Sequence, residues 1–365
     1  MPLALSVGIV GLPNVGKSTL FNVLTRAAVE ASAYPFCTVE PNVGVVEVPD
    51  GRLERLSEVL SPDEVIPTQI RFVDIAGLVK GASQGEGLGN QFLANIRECD
   101  AIVHVVRCFE DEQVAHVDGS PDLLRDVETI NTELMLADLE TAERGQERVG
   151  KVLRAEPRGP ERLEMDTLDE IVAALKGGRP VRSLTLGNEA EQAILGYHFL
   201  TAKRVLYLAN VDEGSLPDGG DRLAALRSLE ESVEVLPVCA QVEAEIAELD
   251  EADRLSFLQD YGLAGTGIDR LVVGAYRLLG LITFYTTVND KLQAWQITSG
   301  STAPVAAGRI HSDMEEGFIR AEVASCSDIF EGGGTDGIRE AGKLRTEGRD
   351  YVIDDGDVVR FLFKA

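Results

Sequence analysis

The chain has 365 residues, with 34 lysines and arginines against 61 aspartates and glutamates, and so carries a formal net charge of −27 at pH 7. This length predicts two or three domains with a sizeable hydrophobic core. The fractions of hydrophobic residues (44%) and charged residues (26%) are typical of a soluble globular protein, which excludes disordered, fibrous and membrane-embedded classes. Because an acidic protein repels polyanions, we expect no bulk non-specific binding of nucleic acid, although a local patch could still bind RNA.

Two further features of the sequence bear on where the protein works. The five cysteines include no closely spaced pair, which is typical of reduced thiols in the cytoplasm. The N-terminus lacks the basic and small-residue regions of a secretory signal, and no apolar run approaches the roughly 20 residues that cross a bilayer. We therefore expect a cytoplasmic protein with no membrane partner.

The first third of the chain alternates short apolar runs with helical stretches, and similar runs recur later. Predicted strands cover residues 3–10, 44–48, 70–74, 101–107, 204–210 and 233–238. Near-continuous Val, Ile and Leu runs separated by helices are typical of a parallel sheet that is covered on both faces. The pattern predicts a doubly wound, mostly parallel α/β domain.

A long, charged and helix-favouring region separates the predicted strands at 101–107 and 204–210. Its helical stretches are residues 123–152, 161–176 and 190–201, with proline- and glycine-containing breaks at 157–160 and 177–180. We expect a helical hairpin inserted between two strands of the sheet. Its apolar positions are interrupted, so the pattern does not support a perfect heptad repeat.

After two further predicted helices, the sequence changes at residue 281 to short β-rich segments. These segments are 282–288, 292–297, 317–324, 351–353 and 358–363, with a predicted helix at 337–347. They indicate a small α+β domain that closes the chain. The predicted organisation is a discontinuous α/β domain (residues 1–122 and 202–280), a helical insert (123–201) and this terminal domain (281–365).

Residues 11–18, Gly-Leu-Pro-Asn-Val-Gly-Lys-Ser, match the G-x-x-x-x-G-K-[ST] phosphate-binding pattern between a predicted strand and a predicted helix. The glycines let backbone N–H groups wrap a phosphate, and the helix N-terminus adds partial positive charge. Lys17 can reach the β- and γ-phosphate oxygens, and the Ser18 hydroxyl can bind Mg²⁺. We expect phosphates to bind at Asn14, Val15, Gly16, Lys17, Ser18 and Thr19, with Lys17 also acting in catalysis.

A second motif supplies a carboxylate for the metal. Asp74 ends an apolar run and begins Asp-Ile-Ala-Gly, a D-x-x-G sequence in which the Gly77 N–H can meet a γ-phosphate. Thr38 lies in the predicted loop between the first helix and the next strand, where a threonine hydroxyl can bind Mg²⁺. The predicted Mg²⁺ site comprises Ser18, Thr38 and Asp74, acting directly or through water.

The residues expected to select the base depart from the guanine-binding pattern. A GTPase of this architecture has N-K-x-D after the strand, with an aspartate that accepts hydrogen bonds from two guanine nitrogens. This chain has Asn210, Val211, Asp212 and Glu213 instead. The longer carboxylate and the missing lysine weaken the guanine interpretation. We expect Asn210 and Val211, together with backbone groups at Ala240, to bind adenine.

Further sequence segments resemble those of a known protein family, at residues 36–42, 74–82, 85–90, 104–110, 131–134, 240–250, 318–322 and 355–358. Together with residues 11–19 they closely resemble the YchF subfamily of Obg-like P-loop ATPases, over essentially the whole chain. The resemblance implies a P-loop NTPase fold with a coiled-coil-like insert and a C-terminal, β-grasp-like TGS domain. It further implies a preference for ATP over GTP, Mg²⁺-dependent hydrolysis, and association with the ribosome or its large subunit.

The residue that would orient the attacking water is not given by the motifs. Ras-like GTPases carry glutamine directly after D-x-x-G, whereas this chain has Leu78, which can neither donate a hydrogen bond to water nor accept one. The resemblance suggests His116 for this role, against the alternative that His116 is structural. Asn14 has two equally supported roles at this stage. Its side chain could hold a K⁺ ion beside the phosphates, or its amide could stabilise the loop.

Two other functions stay open at the level of the sequence. One is an Obg-type GTPase in ribosome assembly, which competition between ATP and GTP would reveal. The other is a ribosome-binding adaptor whose nucleotide is a structural ligand, in which case a Lys17→Ala variant would still bind ribosomes. The terminal domain offers Arg320, Lys343, Arg345 and Arg349 as a local basic face for such a partner.

Overall fold

The structure is a computed structural model that describes residues 5–31, 42–75, 88–111, 114, 122–157, 159–229 and 233–364. Within these ranges the chain forms two compact units. The first consists of Met1–Gly44 and Arg71–Leu271, and the second of Val45–Ile70 and Val272–Ala365.

The elements are numbered in chain order within the described ranges. The strands are β1 (Ser6–Val10), β2 (Val43–Glu47), β3 (Glu64–Ile66), β4 (Gln69–Asp74), β5 (Ala101–Cys108), β6 (Arg204–Val211), β7 (Val235–Val238), β8 (Leu281–Val288), β9 (Lys291–Thr298), β10 (Phe318–Ser325), β11 (Arg345–Glu347) and β12 (Asp357–Phe363). The α-helices are α1 (Lys17–Ala31), α2 (Gly51–Leu60), α3 (Leu88–Glu98), α4 (Leu123–Ala155), α5 (Glu161–Lys176), α6 (Asn188–Ile194), α7 (Gly220–Leu229), α8 (Ala240–Ile246), α9 (Glu251–Asp260), α10 (Gly267–Leu278), α11 (Ala303–Ile310), α12 (Ser312–Glu316), α13 (Cys326–Gly332) and α14 (Thr335–Glu340). None of these helices combines the length and the apolar character needed to cross a membrane.

The sheet of the first unit has the strand order β2-β4-β1-β5-β6-β7. The pairings of β4 with β1, β1 with β5, β5 with β6 and β6 with β7 are parallel. All 8 residues of β5 are buried, as are the apolar residues of β1. Strands buried on both faces are typical of a parallel sheet covered by helices, so the predicted doubly wound, mostly parallel domain is confirmed.

The carboxyl ends of the parallel strands determine where functional residues meet. β1 ends at Val10 and is followed by the glycine-rich loop that leads into α1, while β4 ends at Asp74 and β6 at Val211. Because the carboxyl ends of parallel strands lie along one edge of the sheet, the residues that follow these strands converge there.

The predicted helical hairpin is formed by α4 and α5, between β5 and β6 in the chain. The side chain of Asp122 caps α4 by accepting a hydrogen bond from the Arg125 N–H. The two helices share a hydrophobic cluster that includes Ala142, Val149, Leu168, Ile171 and Leu175. The helix predicted at 190–201 is partly wrong, because α6 ends at Ile194 and 3₁₀ turns follow.

The sheet of the second unit has the order β11-β10-β12-β8-β9-β3, with antiparallel pairings except between β12 and β8 and between β3 and β9. Residues 45–70 and 272–280 were expected in the α/β domain, whereas their contacts group them with this second unit. The physical reason is that β3 pairs with β9, and α2 buries Leu53 and Leu56 in the core beside Tyr285. The Tyr285 hydroxyl also donates to the Asp50 carboxylate at the start of α2.

The helix predicted at residues 337–347 differs from the structure. α14 ends at Glu340, and residues 345–347 form β11, which pairs antiparallel with β10. Gly342, with a φ of 66°, lies between the two elements. A left-handed residue of this kind interrupts a helix and lets the chain turn into the strand.

The expected basic face of the terminal region is largely neutralised. Lys343 pairs with two carboxylates, Arg345 lies 3.5 Å from the Asp357 carboxylate, and Arg349 donates to a backbone carbonyl oxygen. Arg320 is exposed. Three of the four predicted cations are thus already engaged within the unit, which weakens this face as an electrostatic attractor.

Candidate functional site

The phosphate loop follows β1 and adopts backbone conformations that its residue types permit. Gly16 has a φ of 100°, and a Cβ there would lie 2.3 Å from Asn210 Nδ2, so a larger residue would clash. A Cβ at Gly11 would lie 2.6 Å from the Val105 carbonyl oxygen. Asn14 has a φ of 62°, a left-handed conformation that asparagine tolerates better than most residues. The sequence pattern is therefore required by the shape of the loop.

Lys17 begins α1, and its side chain is 7% exposed. Its Nζ donates to the carbonyl oxygens of Gly11 at 2.9 Å and Leu12 at 2.7 Å. Burial lowers the pKa of Lys17 to about 8, and the nearby Asp74 carboxylate acts in the opposite direction. A desolvated ammonium group held by neutral carbonyls gains strongly from a phosphate oxygen placed beside it.

Asp74 is the last residue of β4, at the carboxyl edge of the sheet. Its Oδ1 is buried and has no hydrogen-bond partner among the described residues. Burial raises the pKa of Asp74, and Lys17 opposes this effect. A buried carboxylate oxygen without a partner is suited to a bound cation or to its water, and Ser18 is among the residues that line the cavity at the phosphate loop. This all-oxygen donor set fits Mg²⁺.

A cavity of about 750 Å³ adjoins the phosphate loop, a volume typical of cofactor sites. We distinguish three parts of its lining. The phosphate end consists of Asn14, Gly16, Lys17, Ser18 and Thr19; the base end of Asn210, Val211, Asp212, Glu213, Cys239, Ala240, Gln241 and Ala244; and the wall of Phe109, Glu110, Asp111 and Val114. The predicted phosphate-binding and base-binding stretches therefore share one cavity.

Asn210 joins the two ends of the cavity. Its Nδ2 donates to the Val15 carbonyl oxygen at 2.9 Å, and its Oδ1 accepts a hydrogen bond from the Ala240 N–H at 3.0 Å. The amide that was expected to bond a purine edge is thus already bonded on both sides within the protein. The Ala240 N–H, expected as a backbone contact to the base, is used in the same brace. Val15 contributes its carbonyl oxygen to the hydrogen bond with Asn210, and its side chain is buried in the core.

At the base end, the protein itself engages the carboxylate that replaces the guanine-binding aspartate. The Tyr261 hydroxyl donates to Glu213 Oε1. This hydrogen bond is the largest of the causes that raise the pKa of Tyr261 to about 12. Val211, at the position of the missing lysine, is 2% exposed and lines the cavity at the end of β6.

The wall is held by an arginine that the sequence analysis missed. Arg107 is 2% exposed, and its guanidinium donates to the carbonyl oxygens of Asp111 and Val114, both at 3.0 Å, and of Phe109 at 3.4 Å. The guanidinium carbon also lies 4.6 Å from the centre of the Phe109 ring. A charged residue in an otherwise buried strand was the available sequence signal.

A second arginine holds the same wall from its exposed side. Arg222, on α7, donates to the Cys108 carbonyl oxygen at 2.9 Å and forms an ion pair with Glu110. Arg222 lies in an ordinary charged helix, and its partners Cys108 and Glu110 are far from it in the chain. The sequence therefore gave no sign of these contacts.

Three predicted site residues lie outside the described residues. They are Thr38, expected at the metal, Gly77, expected at the γ-phosphate, and His116, expected beside the attacking water. Their roles stay predictions.

These relations define a class of protein. The phosphate loop lies between a parallel strand and a helix, with a buried lysine at its end and a carboxylate at the end of the neighbouring strand. This is the arrangement of a P-loop NTPase domain.

Comparison with known proteins identifies the family. The model MMR_HSR1, "50S ribosome-binding GTPase", matches residues 6–138, and YchF-GTPase_C, "Protein of unknown function (DUF933)", matches residues 281–364. "Ribosome-binding ATPase YchF" of Haemophilus ducreyi is 51% identical over 98% of this chain and 99% of its own length, and that of Bacillus subtilis is 48% identical over 100% of both. The solved Schizosaccharomyces pombe YchF GTPase is 32% identical, with a TM-score of 0.89 over 99% of both chains. The chain belongs to the YchF family.

Proposed function

We propose that this protein is a Mg²⁺-dependent ATPase, which converts ATP to ADP and phosphate and acts as a nucleotide-dependent switch on the ribosome or its large subunit. One observation carries the enzymatic part. The phosphate end, with its glycine-rich loop and buried Lys17, shares a cavity with a base end in which the lysine and the aspartate of the guanine-binding pattern are replaced and Glu213 is bonded to Tyr261. The names of the bacterial relatives, ribosome-binding ATPases, support the same conclusion.

The phosphate end would bind the triphosphate through the backbone N–H groups of residues 14–19 and the Lys17 ammonium group. Lys17 would exchange its bonds to loop carbonyls for bonds to phosphate oxygens. Ser18, Thr38 and Asp74 would hold Mg²⁺ directly or through water, and the Gly77 N–H would bond the γ-phosphate. The bound metal supplies positive charge that stabilises the phosphoryl oxygens in the transition state.

The base end would accept adenine. Val211 removes the lysine that packs over guanine, and Ala240 contributes a small apolar surface. We place Asn210 as the brace that fixes the phosphate loop relative to this surface, since its amide is bonded to Val15 and Ala240. The names of the relatives differ in the nucleotide they give: the bacterial proteins are named ATPases and the fission-yeast structure is named a GTPase.

Turnover would be slow without a partner, because Leu78 cannot orient the attacking water. We propose His116 for this role. A His116→Ala variant should lose turnover while its affinity for ATP changes little, and unchanged turnover would remove His116 from the mechanism.

Asn14 is the candidate for a K⁺ ion beside the phosphates, because it lies at the phosphate end in a left-handed conformation. Activity should then be higher in K⁺ than in Na⁺ at the same ionic strength. Equal activity in the two salts would leave Asn14 as a loop-stabilising residue.

A role on the ribosome would place the protein in the cytoplasm. We propose that the helical insert (123–201) and the terminal domain (281–365) contact the partner, while the rest of the first unit carries the nucleotide. The local rather than overall charge would determine this contact, because the net charge of −27 opposes attraction to RNA.

The test is steady-state hydrolysis of ATP and of GTP, with and without purified large ribosomal subunits, with Lys17→Ala as the control. We expect ATP hydrolysis that depends on Mg²⁺ and on Lys17. Preferential GTP hydrolysis would contradict the proposal and favour an Obg-type GTPase. If Lys17→Ala binds ribosomal subunits and sustains the cellular role as well as the parent protein, the nucleotide is a structural ligand of an adaptor.

A further inference from the structure

We propose that Tyr261 is a specificity-determining residue, which holds Glu213 so that its carboxylate cannot present both oxygens to a guanine base. This inference rests on the proposed function, since it requires that the cavity bind a purine nucleoside triphosphate. It assigns the rejection of guanine to a contact between two side chains rather than to the altered motif alone.

Tyr261 is fixed by packing. It directly follows α9, and its ring lies 4.8 Å from the ring of Phe257. Both rings pack against a buried cluster that includes Leu258 and Leu263. Because the ring is anchored, only the Glu213 side chain has to be ordered when the hydrogen bond forms, which limits the loss of conformational entropy.

The hydrogen bond joins Glu213, in an exposed part of the cavity lining, to the packed ring of Tyr261. Glu213 lines the base end, in the position where a GTPase has its guanine-binding aspartate, and its Oε1 accepts the hydrogen bond from Tyr261. A tyrosine hydroxyl is protonated near neutral pH, and the hydrogen bond to Glu213 raises the pKa of Tyr261 further, to about 12. The hydroxyl is consequently a permanent donor to a carboxylate, a charge-assisted hydrogen bond.

Guanine and adenine differ in the hydrogen-bond donors and acceptors that they present to the Glu213 carboxylate. The guanine edge offers donors on both N1 and N2, and a carboxylate satisfies them with its two oxygens in one plane. The adenine edge has an acceptor at N1 and a donor at N6, so it gains nothing from a second carboxylate oxygen. With Oε1 held by Tyr261, the carboxylate cannot turn to place both oxygens on the two guanine donors, while adenine loses nothing.

The experiment compares Tyr261→Phe with a matched control, Tyr197→Phe. Tyr197 also donates through its hydroxyl to a glutamate, Glu164, at 2.6 Å, but it lies in the helical insert and not in the cavity lining. Affinities of the nucleotide-free proteins for non-hydrolysable analogues of ATP, GTP and inosine triphosphate are measured by calorimetry. We expect Tyr261→Phe to raise affinity for GTP about fivefold relative to ATP, and Tyr197→Phe to leave the ratio unchanged.

Inosine triphosphate tests whether the gain in GTP affinity depends on both guanine donors, because inosine has the N1 donor of guanine but lacks the N2 amine. The gain for GTP should exceed that for inosine triphosphate, and adding Glu213→Gln to Tyr261→Phe should abolish it. Glu213→Asp restores the aspartate of the guanine-binding pattern, so it should gain GTP affinity and serves as the positive control for the GTP measurement.

The outcomes separate this inference from the proposed function. An unchanged GTP-to-ATP ratio in Tyr261→Phe, with a parent protein that prefers ATP, overturns the role of Tyr261 alone. A parent protein that prefers GTP overturns the proposed function, whatever the variants do.

Discussion

The two ends of the cavity are built in different ways. The phosphate end comes from one short stretch of chain, Asn14 and residues 16–19, and consists of backbone turns and the Lys17 side chain. The base end is assembled from the ends of β6 and β7 and the start of α8, and it is held by contacts such as Asn210 to Val15 and Tyr261 to Glu213. The first is local in sequence and the second is not.

This difference separates two properties of the site. A phosphate end made of backbone N–H groups, a lysine and a metal site binds any nucleoside triphosphate, because it contacts what all of them share. Selection of the base depends on side chains that distant parts of the chain hold in place. Changes at the phosphate end should therefore abolish activity, whereas changes at the base end and the wall should change affinity and preference.

The largest effect is expected from Lys17→Ala. Loss of the ammonium group at the phosphates should lower ATP turnover about a thousandfold. The temperature of thermal unfolding should change little, because two effects oppose each other. Burial disfavours the charged form of Lys17 and lowers its pKa, whereas Lys17→Ala leaves the carbonyl oxygens of Gly11 and Leu12 without their donor. Turnover within a factor of a few of the parent protein would show that the phosphate end is not the catalytic centre.

Asn210→Ala should affect both ends at once. It leaves the Val15 carbonyl oxygen and the Ala240 N–H without their partner, at a cost of about 3 kcal/mol in the free energy of unfolding. ATP and GTP affinities should fall together, because the brace positions the site without choosing the base. Asn131→Ala is the control, since its amide makes a long 3.5 Å contact to the Tyr207 hydroxyl. A change in the GTP-to-ATP ratio in Asn210→Ala would instead indicate direct contact with the base.

Arg107→Met should loosen the wall. Without donors to the carbonyls of residues 109, 111 and 114, the KM for ATP should rise about tenfold. Arg222→Ala, which removes the exposed clamp on the same wall, should have a smaller effect, because ion pairs exposed to water contribute little. Steady-state kinetics checks both variants. Equal KM values in Arg107→Met and the parent protein would show that the wall does not contact the nucleotide.

The smallest expected effect is a pH dependence of binding. The pKa of Lys17 is about 8 without nucleotide, and phosphate oxygens raise it, so binding takes up a proton above that pH. Affinity is full below pH 8 and is lost as the pH rises, by about fourfold between pH 7.0 and 8.5. Calorimetry in buffers of different ionisation enthalpy would detect the proton uptake. Constant affinity without proton uptake over this range would contradict the protonation of Lys17 on binding.

The sequence predicts the phosphate end well for a physical reason. The conformation of Gly16 and the position of Lys17 depend on neighbours within a few residues, so a local pattern specifies them. The parallel sheet is similarly predictable, because each buried strand is a continuous apolar run.

The rest depends on contacts between distant residues, which no local pattern encodes. The Asn210 amide meets a carbonyl 195 residues away, and Tyr261 meets a carboxylate 48 residues away. The assignment of residues 45–70 to the second unit has the same cause, since the strand that pairs with β3 comes much later in the chain. Arg107 is a different case, because its partners lie within seven residues but are backbone carbonyls, which carry no residue signature.

The central claim is that the phosphate end admits nucleoside triphosphates and the base end selects adenine among them. The most direct test is calorimetric titration of the nucleotide-free protein with the Mg²⁺ complexes of non-hydrolysable ATP and GTP analogues in parallel. We predict that the ATP analogue binds at least about tenfold more tightly. Equal affinities, or tighter binding of the GTP analogue, would contradict the claim and show that Val211 and Glu213 still permit guanine recognition.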